Sequence, residues 1–158
     1  MIILDLDETL IHSTSKKLNE EEDFILEQYF VYKRPNLDWF LQEISKHFCI
    51  GIWSSADGIY VTNIAEKIIP NNLKLEIMWD KDWCDLTENK DDNSFFYEKR
   101  LEKLTNLNLE LESLLLVDDS LENYQINKNN AYKIKPFNGD KNDNELEFLY
   151  KYLMQNTN

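Results

Sequence analysis

The sequence predicts an α/β fold in which a mostly parallel β-sheet is flanked by helices, and three observations lead to this prediction. Short apolar runs alternate along the chain with segments whose apolar residues recur at helical spacing, the pattern of strand–helix–strand units. Glycine and proline number three each, which leaves few tight hairpin turns. Several apolar runs end in acidic or small polar residues, as strands do at the ligand-binding edge of a parallel sheet.

The first half of the chain contains three predicted strands and two predicted helices. Residues 1–6 form a buried strand, residues 24–32 an aromatic and β-branched extended segment, and residues 49–53 another apolar strand. Pro35 suits the first turn of a helix, because its missing N–H is not needed there. Two helical stripes follow: Leu37, Phe40, Leu41, Ile44 and Phe48, and then Val61, Ile64, Ala65 and Ile68.

The second half continues the alternation. It contains a strand at residues 75–79, a polar acidic loop or insert at about 80–95 and a helix at 99–107. Two more strands follow at 114–117 and 131–134. Asn142 and Glu145 have the spacing of a capping box. They predict a final helix with the stripe Leu146, Leu149, Tyr150 and Leu153.

Composition limits the class of protein. The formal net charge is -13, which disfavours nucleic-acid backbones and anionic lipid surfaces as partners. Two cysteines are too few for a disulfide framework, and no apolar run has the length of a membrane span. We therefore expect a single domain over residues 1–158, cytoplasmic and monomeric, that binds neither nucleic acid nor membranes.

Three predicted strands end in pairs of residues whose side chains can take part in catalysis or ligand binding: Asp5 and Asp7, Ser54 and Ser55, and Asp118 and Asp119. Carboxyl ends of parallel strands meet at one edge of a sheet, so these clusters are predicted to converge there. Side chains two apart on a strand lie roughly 6.6 Å apart and point the same way. Asp5 and Asp7 can thus face one substrate, although each cluster taken alone also fits a helix cap or a solvated turn.

The wider motifs resemble those of the haloacid dehalogenase (HAD) superfamily, and in particular the RNA polymerase C-terminal-domain phosphatases, also called the NLI-interacting-factor family. The matching pieces in family order are LDLDETLIHS at 4–13, KRP at 33–35, WSSA at 53–56, the lysine that opens KRLEKL at 99–104, and LLLVDDS at 114–120. The chain is most similar to compact, bacterial-type members. The resemblance implies a Rossmann-like sheet with a small cap insert or none.

The resemblance also implies roles for individual residues. Asp5 would be the nucleophile that forms an aspartyl-phosphate, and Asp7 the general acid and base. Phosphate binding would involve Thr9, which braces the loop, together with Ser54, Ser55 and Lys99.

A magnesium ion is the implied cofactor. Its ligands would be Asp5, the main-chain carbonyl of Asp7 and one residue of the last motif. We favour Asp119 as that ligand, with Asp118 holding Lys99. The opposite assignment of Asp118 and Asp119 stays open.

The predicted function is hydrolysis of phosphate monoesters, on phosphoserine or phosphothreonine in a protein or peptide. A small-metabolite phosphatase or phosphotransferase of the same fold is one alternative, and a non-catalytic module that binds phosphopeptides is another. Arg34 serves either as an anchor for an anion or as one half of a structural salt bridge. The first candidates for the walls of a substrate cleft are the aromatic residues Trp79, Trp83, Phe95, Phe96 and Tyr97.

Overall fold

The computed structural model describes residues 1–89 and 93–156. Its strands are β1 (Ile2–Leu4), β2 (Ile11–Thr14), β3 (Phe24–Leu26), β4 (Tyr29–Lys33), β5 (Ile50–Trp53), β6 (Leu75–Trp79), β7 (Asp85–Asn89), β8 (Ser94–Glu98), β9 (Leu115–Asp118) and β10 (Ala131–Lys133). Its α-helices are α1 (Leu37–Ile44), α2 (Gly58–Ile68), α3 (Glu102–Thr105) and α4 (Glu145–Gln155). Shorter 3-10 segments occupy Lys81–Trp83, Leu111–Ser113 and Leu121–Asn130.

The central sheet has five strands in the order β10-β9-β1-β5-β6, and every neighbouring pair is parallel. This confirms the predicted mostly parallel sheet flanked by helices. β1 lies in the middle, so the residues that follow it emerge between the ends of β5 and β9. The strand order reverses on either side of β1, which is where ligands bind in open parallel sheets.

Side chains of β1 alternate between the two faces of the sheet. Ile2 and Leu4 pack in a core with α1, α2 and α4, while Ile3 packs on the other face with Trp53 and Leu101. Ile3 and Leu4 have no solvent-exposed surface. Burying one such aliphatic side chain contributes roughly 1.5–3 kcal/mol, so β1 is held firmly from both sides.

A second, antiparallel sheet has the order β2-β4-β3. The prediction of one extended segment over residues 24–32 was wrong in detail, because a turn at Glu27 (φ 52°) divides it into the hairpin β3–β4. β2 was not predicted at all. The turn contains neither glycine nor proline, so the sequence holds no ordinary turn signal at that point.

The segment predicted as a loop or insert at about 80–95 forms most of the antiparallel hairpin β7–β8, whose second strand continues to Glu98. Its strands are hard to recognise because the hairpin is half solvated: Leu86 and Phe95 are 63% and 64% exposed. Residues 90–92 of that prediction lie outside the described residues. A two-stranded hairpin agrees with the expected small insert.

Two helix predictions need correction. The helix predicted over residues 99–107 is a single turn, α3, and Lys99 lies before it in irregular backbone. Pro35 precedes α1 rather than occupying its first turn, since Asn36 at φ 65° is the residue before the helix.

The predicted capping box of α4 is also wrong. Asn142 bonds to the side chain of Asp140 instead, and it is the Asp143 carboxylate that accepts the N–H of Glu145 at 3.0 Å. Within the described ranges, no helix combines the length and apolar character that crossing a membrane requires.

Candidate active site

The register of the sheet brings Asp5 and Asp118 together. Leu4 pairs with Val117 of β9 and with Ile52 of β5, and the Asp5 N–H donates to the Val117 carbonyl at 3.0 Å. Asp5 and Asp118 are therefore at the same level on adjacent strands. The predicted convergence of acids at the carboxyl edge is realised here.

A tight loop follows β1 and carries Asp7. The Leu6 carbonyl accepts three backbone N–H groups, from Thr9, Leu10 and Ile11, at 2.8–3.2 Å. Glu8 adopts a left-handed conformation with φ 59°, which reverses the chain within this loop. These bonds fix the backbone between the two aspartates.

Arg34 locks this loop from behind. Its side chain has no exposed surface, and Nη1 donates to the Thr9 carbonyl at 2.9 Å. Nη2 donates to the Lys135 carbonyl at 2.6 Å, and Nε and Nη2 make a bidentate pair with Asp143 at 2.7 and 2.8 Å. Of the two readings left open for Arg34, the structure shows the salt bridge.

Lys99 is the fixed cation of the site. The side chain is completely buried, and Nζ donates at 2.6 Å to both Asp5 Oδ1 and Asp118 Oδ2. Burial lowers the pKa of Lys99, but the charges of Asp118 and Asp5 outweigh that effect and raise it. Lys99 is therefore charged at every physiological pH, and its charge lies directly beside Asp5.

Asp118 and Asp119 have different surroundings. Asp118 is fully buried, and its two carboxylate oxygens accept from Lys99, from the Ser120 N–H (2.8 Å) and from the Asn123 amide (3.1 and 3.2 Å). Asp119 is half-buried, and its contact with Thr9 Oγ1 at 3.5 Å is at the outer limit of a hydrogen bond. The Asp119 carboxylate can thus still accept further bonds, whereas hydrogen bonds already occupy both oxygens of Asp118.

Asp5, Asp118 and Asp119 could hold a metal ion, since each offers a carboxylate oxygen and these oxygens lie within 4.8 Å of one another. Burial, followed by the neighbouring Asp118, raises the pKa of Asp119. Burial also raises the pKa of Asp5 well above its ordinary value, and the charge of Lys99 offsets this rise only in part. An all-oxygen set of crowded carboxylates suits a hard divalent cation such as Mg²⁺.

The Asp7 side chain bonds to α2, where the Tyr60 hydroxyl donates to its Oδ1 at 2.5 Å. Burial raises the pKa of Asp7, with the Tyr60 hydrogen bond opposing that shift. A raised pKa increases the protonated fraction that a general acid requires.

Ser54 and Ser55 follow β5 at the same edge as Asp5. Ser54 is buried, its N–H donates to the Trp79 carbonyl at 2.9 Å, and its Oγ accepts from the Ala56 N–H at 3.1 Å. The cap of α2 is Asp57, whose side chain accepts from the Ile59 N–H. The two serines are therefore not the helix cap that they would otherwise resemble.

A cleft of about 560 Å³ opens beside Asp7, between the β3–β4 turn and the start of α2. Its walls include Leu26, Tyr29, Ile59 and Tyr60. The aromatic residues predicted as walls lie elsewhere. Trp79 stacks on Trp83 with ring centroids 4.4 Å apart, and Phe95, Phe96 and Tyr97 belong to β8.

The sequence did not identify three contributors to this site: Tyr60, Asn123 and Asp143. Each lies outside the quoted motifs, and each contributes one hydrogen-bonding group to a motif residue. Tyr60 had a weak signal, because it lies a few residues beyond Ser54 and Ser55 at the start of a helix.

This sheet, with an aspartate at the end of its central strand and a lysine buried beside it, defines a HAD-type fold. The solved structure titled "The Structure of Fcp1, an essential RNA polymerase II CTD phosphatase" superimposes with a TM-score of 0.72 at 17% identity, covering 98% of this chain and 61% of that one. The sequence model of the NLI interacting factor-like phosphatase family matches residues 1–157. The chain belongs to this family.

Relatives align with nearly the whole chain. The zebrafish (Danio rerio) protein "CTD nuclear envelope phosphatase 1B" is 29% identical over 168 aligned residues, covering 97% of this chain and 65% of the relative. The "mitochondrial import inner membrane translocase subunit TIM50" of Phytophthora infestans is 28% identical, covering 97% of this chain and 33% of the relative. The chain thus spans less than two thirds of the length of these proteins.

Proposed function

We propose that this protein is a magnesium-dependent phosphatase that hydrolyses phosphate monoesters through an aspartyl-phosphate on Asp5, acting on phosphoserine or phosphothreonine in proteins or peptides. The observation that carries the proposal is the buried ion pair between Lys99 and Asp5 Oδ1. Within the described residues, Asp5 Oδ2 accepts no hydrogen bond, so it is the oxygen available for attack.

In the first step an Asp5 oxygen forms a bond to phosphorus while the ester P–O bond breaks. The leaving alkoxide takes its proton from Asp7, whose raised pKa favours that role and whose carboxyl group Tyr60 orients. In the second step a water oxygen attacks the phosphorus, Asp7 accepts the water proton, and the bond to Asp5 breaks. Phosphate is released and both aspartates return to their starting states.

The charge that gathers on the phosphoryl oxygens needs fixed positive charge close by. Lys99 supplies one such charge, since it is buried and already placed against Asp5. We assign Asp5, Asp119 and the Asp7 carbonyl to the magnesium ion, and the saturated Asp118 to Lys99. When bound, the ion offsets carboxylate charge and polarises the phosphoryl oxygens.

The phosphate-binding roles proposed for Ser54 and Ser55 agree with their position at the edge of the sheet beside β1. Thr9 would brace the loop, since its backbone bonds to Leu6 and its hydroxyl is turned toward Asp119. A protein or peptide substrate is favoured over a small metabolite because the cleft beside Asp7 is open and, at about 560 Å³, has room for residues that neighbour the phosphorylated one.

The deciding experiment is hydrolysis of a generic aryl phosphate by the purified protein, with magnesium or with a chelator. We expect turnover only with magnesium, and none from Asp5→Asn. Asp38→Asn, an exposed aspartate on α1, is the matched control and should keep full activity. Full activity in Asp5→Asn, or turnover unaffected by the chelator, would contradict the proposal.

A binding module without turnover is the second candidate, and the relative TIM50 favours it because that protein is named as a translocase subunit and not as a phosphatase. Beryllofluoride separates the two candidates. A phosphatase of this mechanism should trap it on Asp5 only when magnesium is present. A binding module should bind a phosphopeptide equally well with Asp5→Asn and should release no phosphate from it.

A further inference from the structure

The cleft beside Asp7 has a chemical character that the catalytic residues do not require. Asp7, Glu27 and Asp57 contribute carboxylates to it, and among its described lining residues there is no lysine or arginine. Glu27 is exposed at the tip of the β3–β4 turn, and no basic partner for it is found among the described residues. Glu27 therefore presents an uncompensated negative charge to anything that enters the cleft.

Asp57 adds less charge than Glu27. One of its oxygens caps α2 and the other pairs with Lys81 Nζ at 3.0 Å. Hydrogen bonding from Lys81 and from the Ile59 N–H lowers the pKa of Asp57, so it stays ionised although it is partly neutralised. The uncompensated acid at the outer rim is Glu27.

The walls between these acids are apolar. Tyr29 and Tyr60 meet edge to face, with ring centroids 6.3 Å apart at 79°, and Ile59, beside Tyr60 at the start of α2, is 73% exposed. A hydrocarbon stem would fit against these side chains, while a cationic head would reach the carboxylates and the tyrosine faces. Lysine and arginine side chains have this combination of a long apolar stem and a cationic tip.

We propose that this cleft selects substrates in which a lysine or arginine lies close to the phosphorylated residue. The inference rests on the proposed function, because the cleft begins at Asp7 and a phosphoryl group at Asp5 would place neighbouring residues of the same peptide in it. An acidic neighbour would meet Glu27 with like charge. Glu27 is then the specificity-determining residue, and Tyr29 and Tyr60 provide its apolar surroundings.

The test uses phosphoserine peptides that differ at a single position. At each position near the phosphoserine the residue is lysine, norleucine or glutamate, norleucine being the apolar stem without the ammonium group. The readout is the ratio of kcat/KM for the lysine peptide to that for the norleucine peptide, so that a general loss of activity in a variant cancels. We expect a ratio of about five at the preferred position, decreasing with added salt, as for an exposed ion pair beside aromatic rings.

Three variants test the role of Glu27. Glu27→Gln should bring the ratio close to one, and Glu27→Lys should reverse the preference so that the glutamate peptide becomes the better substrate. Glu21→Gln makes the same charge change at an exposed residue outside the cleft, and it should keep the ratio of the unmodified protein.

The failures are distinguishable. If peptides are hydrolysed with a lysine-to-norleucine ratio of one at every position, or if Glu27→Lys leaves the preference unchanged, the inference is wrong and the proposed function stands. If an aryl phosphate is hydrolysed and no peptide is, the cleft does not select peptides and the inference is wrong with the proposed substrate class. If neither is hydrolysed, the proposed function itself fails and the inference fails with it.

Discussion

Arg34 gives the sharpest test of how the active-site loop is held, and the change is Arg34→Met, which keeps a long apolar side chain and removes the guanidinium group. The substitution leaves the mostly buried Asp143 carboxylate without its bidentate partner, and the Thr9 and Lys135 carbonyls without a donor. Removing one partner of a buried pair costs about 3–5 kcal/mol. That is a large fraction of the roughly 5–15 kcal/mol by which a domain is stable.

The chain contains one other arginine, and it provides the matched control. Arg100 is 42% exposed and pairs with Asp85 and Glu98. Arg100→Met should cost less than Arg34→Met, about 1–3 kcal/mol, because Arg100 itself is solvated but its removal takes one donor from the Glu98 carboxylate, which is only 4% exposed. The assay is equilibrium unfolding in urea monitored by tryptophan fluorescence, with a melting curve for each variant; Arg34→Met should lower Tm by roughly 6–20 °C at this chain length.

The Arg34 effect should also depend on pH in a defined direction. Burial raises the pKa of Asp143, but the hydrogen bonds and charge of Arg34 outweigh burial and hold that pKa below its ordinary value of 3.8. A lowered pKa in the folded state contributes stability that is complete above pH 3.8 and is lost as the pH falls through the lowered pKa. The stability difference between the protein and Arg34→Met should therefore shrink in acid. A cost for Arg34→Met no larger than that for Arg100→Met, or a difference that grows in acid, would refute the reasoning.

Three further predictions concern the site itself. In chelator at pH 7, Asp5→Asn should melt at or above the melting temperature of the unmodified protein. Burial raises the pKa of Asp5 in the folded state, so the stability that protonated Asp5 contributes is lost as the pH rises, and at pH 7 the substitution removes no such contribution. A clearly lower melting temperature for Asp5→Asn contradicts this. Asp118→Asn should lower the free energy of unfolding by about 3–5 kcal/mol, because the buried Asp118 carboxylate accepts from Ser120 and Asn123 as well as from Lys99, and an amide cannot accept all of these bonds. Asp119→Asn should mainly weaken magnesium binding in calorimetry. The reverse pattern would make Asp118 the ligand. Tyr60→Phe should lower kcat about tenfold for an alkyl phosphate and less for an aryl phosphate, whose leaving group needs less help from Asp7; equal losses for both substrates would exclude a role in orienting the acid.

The central sheet was predictable because its strands are short, apolar and buried on both faces. β1, β5 and β9 begin and end within two residues of the predicted positions, and their shared direction predicted that Asp5 and Asp118 converge. Lys99 was found from its motif alone, and its burial between two aspartates is a property of the fold. The sequence surrounding Lys99 resembles that of an ordinary solvated helix.

The small antiparallel pieces were not predictable for a different reason. β2 and β3 are three or four residues long, and the Glu27 turn uses a left-handed glutamate in place of glycine. The β7–β8 hairpin leaves Leu86 and Phe95 largely in solvent, so its apolar residues do not form the buried face by which a strand is recognised. The supporting hydrogen bonds from Tyr60 and Arg34 arise from tertiary contact, which periodicity along the chain does not encode.

The bonds that complete the site also have a kinetic consequence. The Arg34–Asp143, Thr9–Asp119 and Lys99–Asp5 contacts join residues 109, 110 and 94 positions apart. Closing loops of that length lowers the conformational entropy of the chain before the contacts form and stabilise it, and folds that rely on such contacts form slowly. The pairing of β1 with β9 in the central sheet joins residues that are just as distant, such as Ile2 and Leu115. The sheet and the contacts around Asp5 therefore depend on closing the same long loops, and we expect them to form in the same late step of refolding.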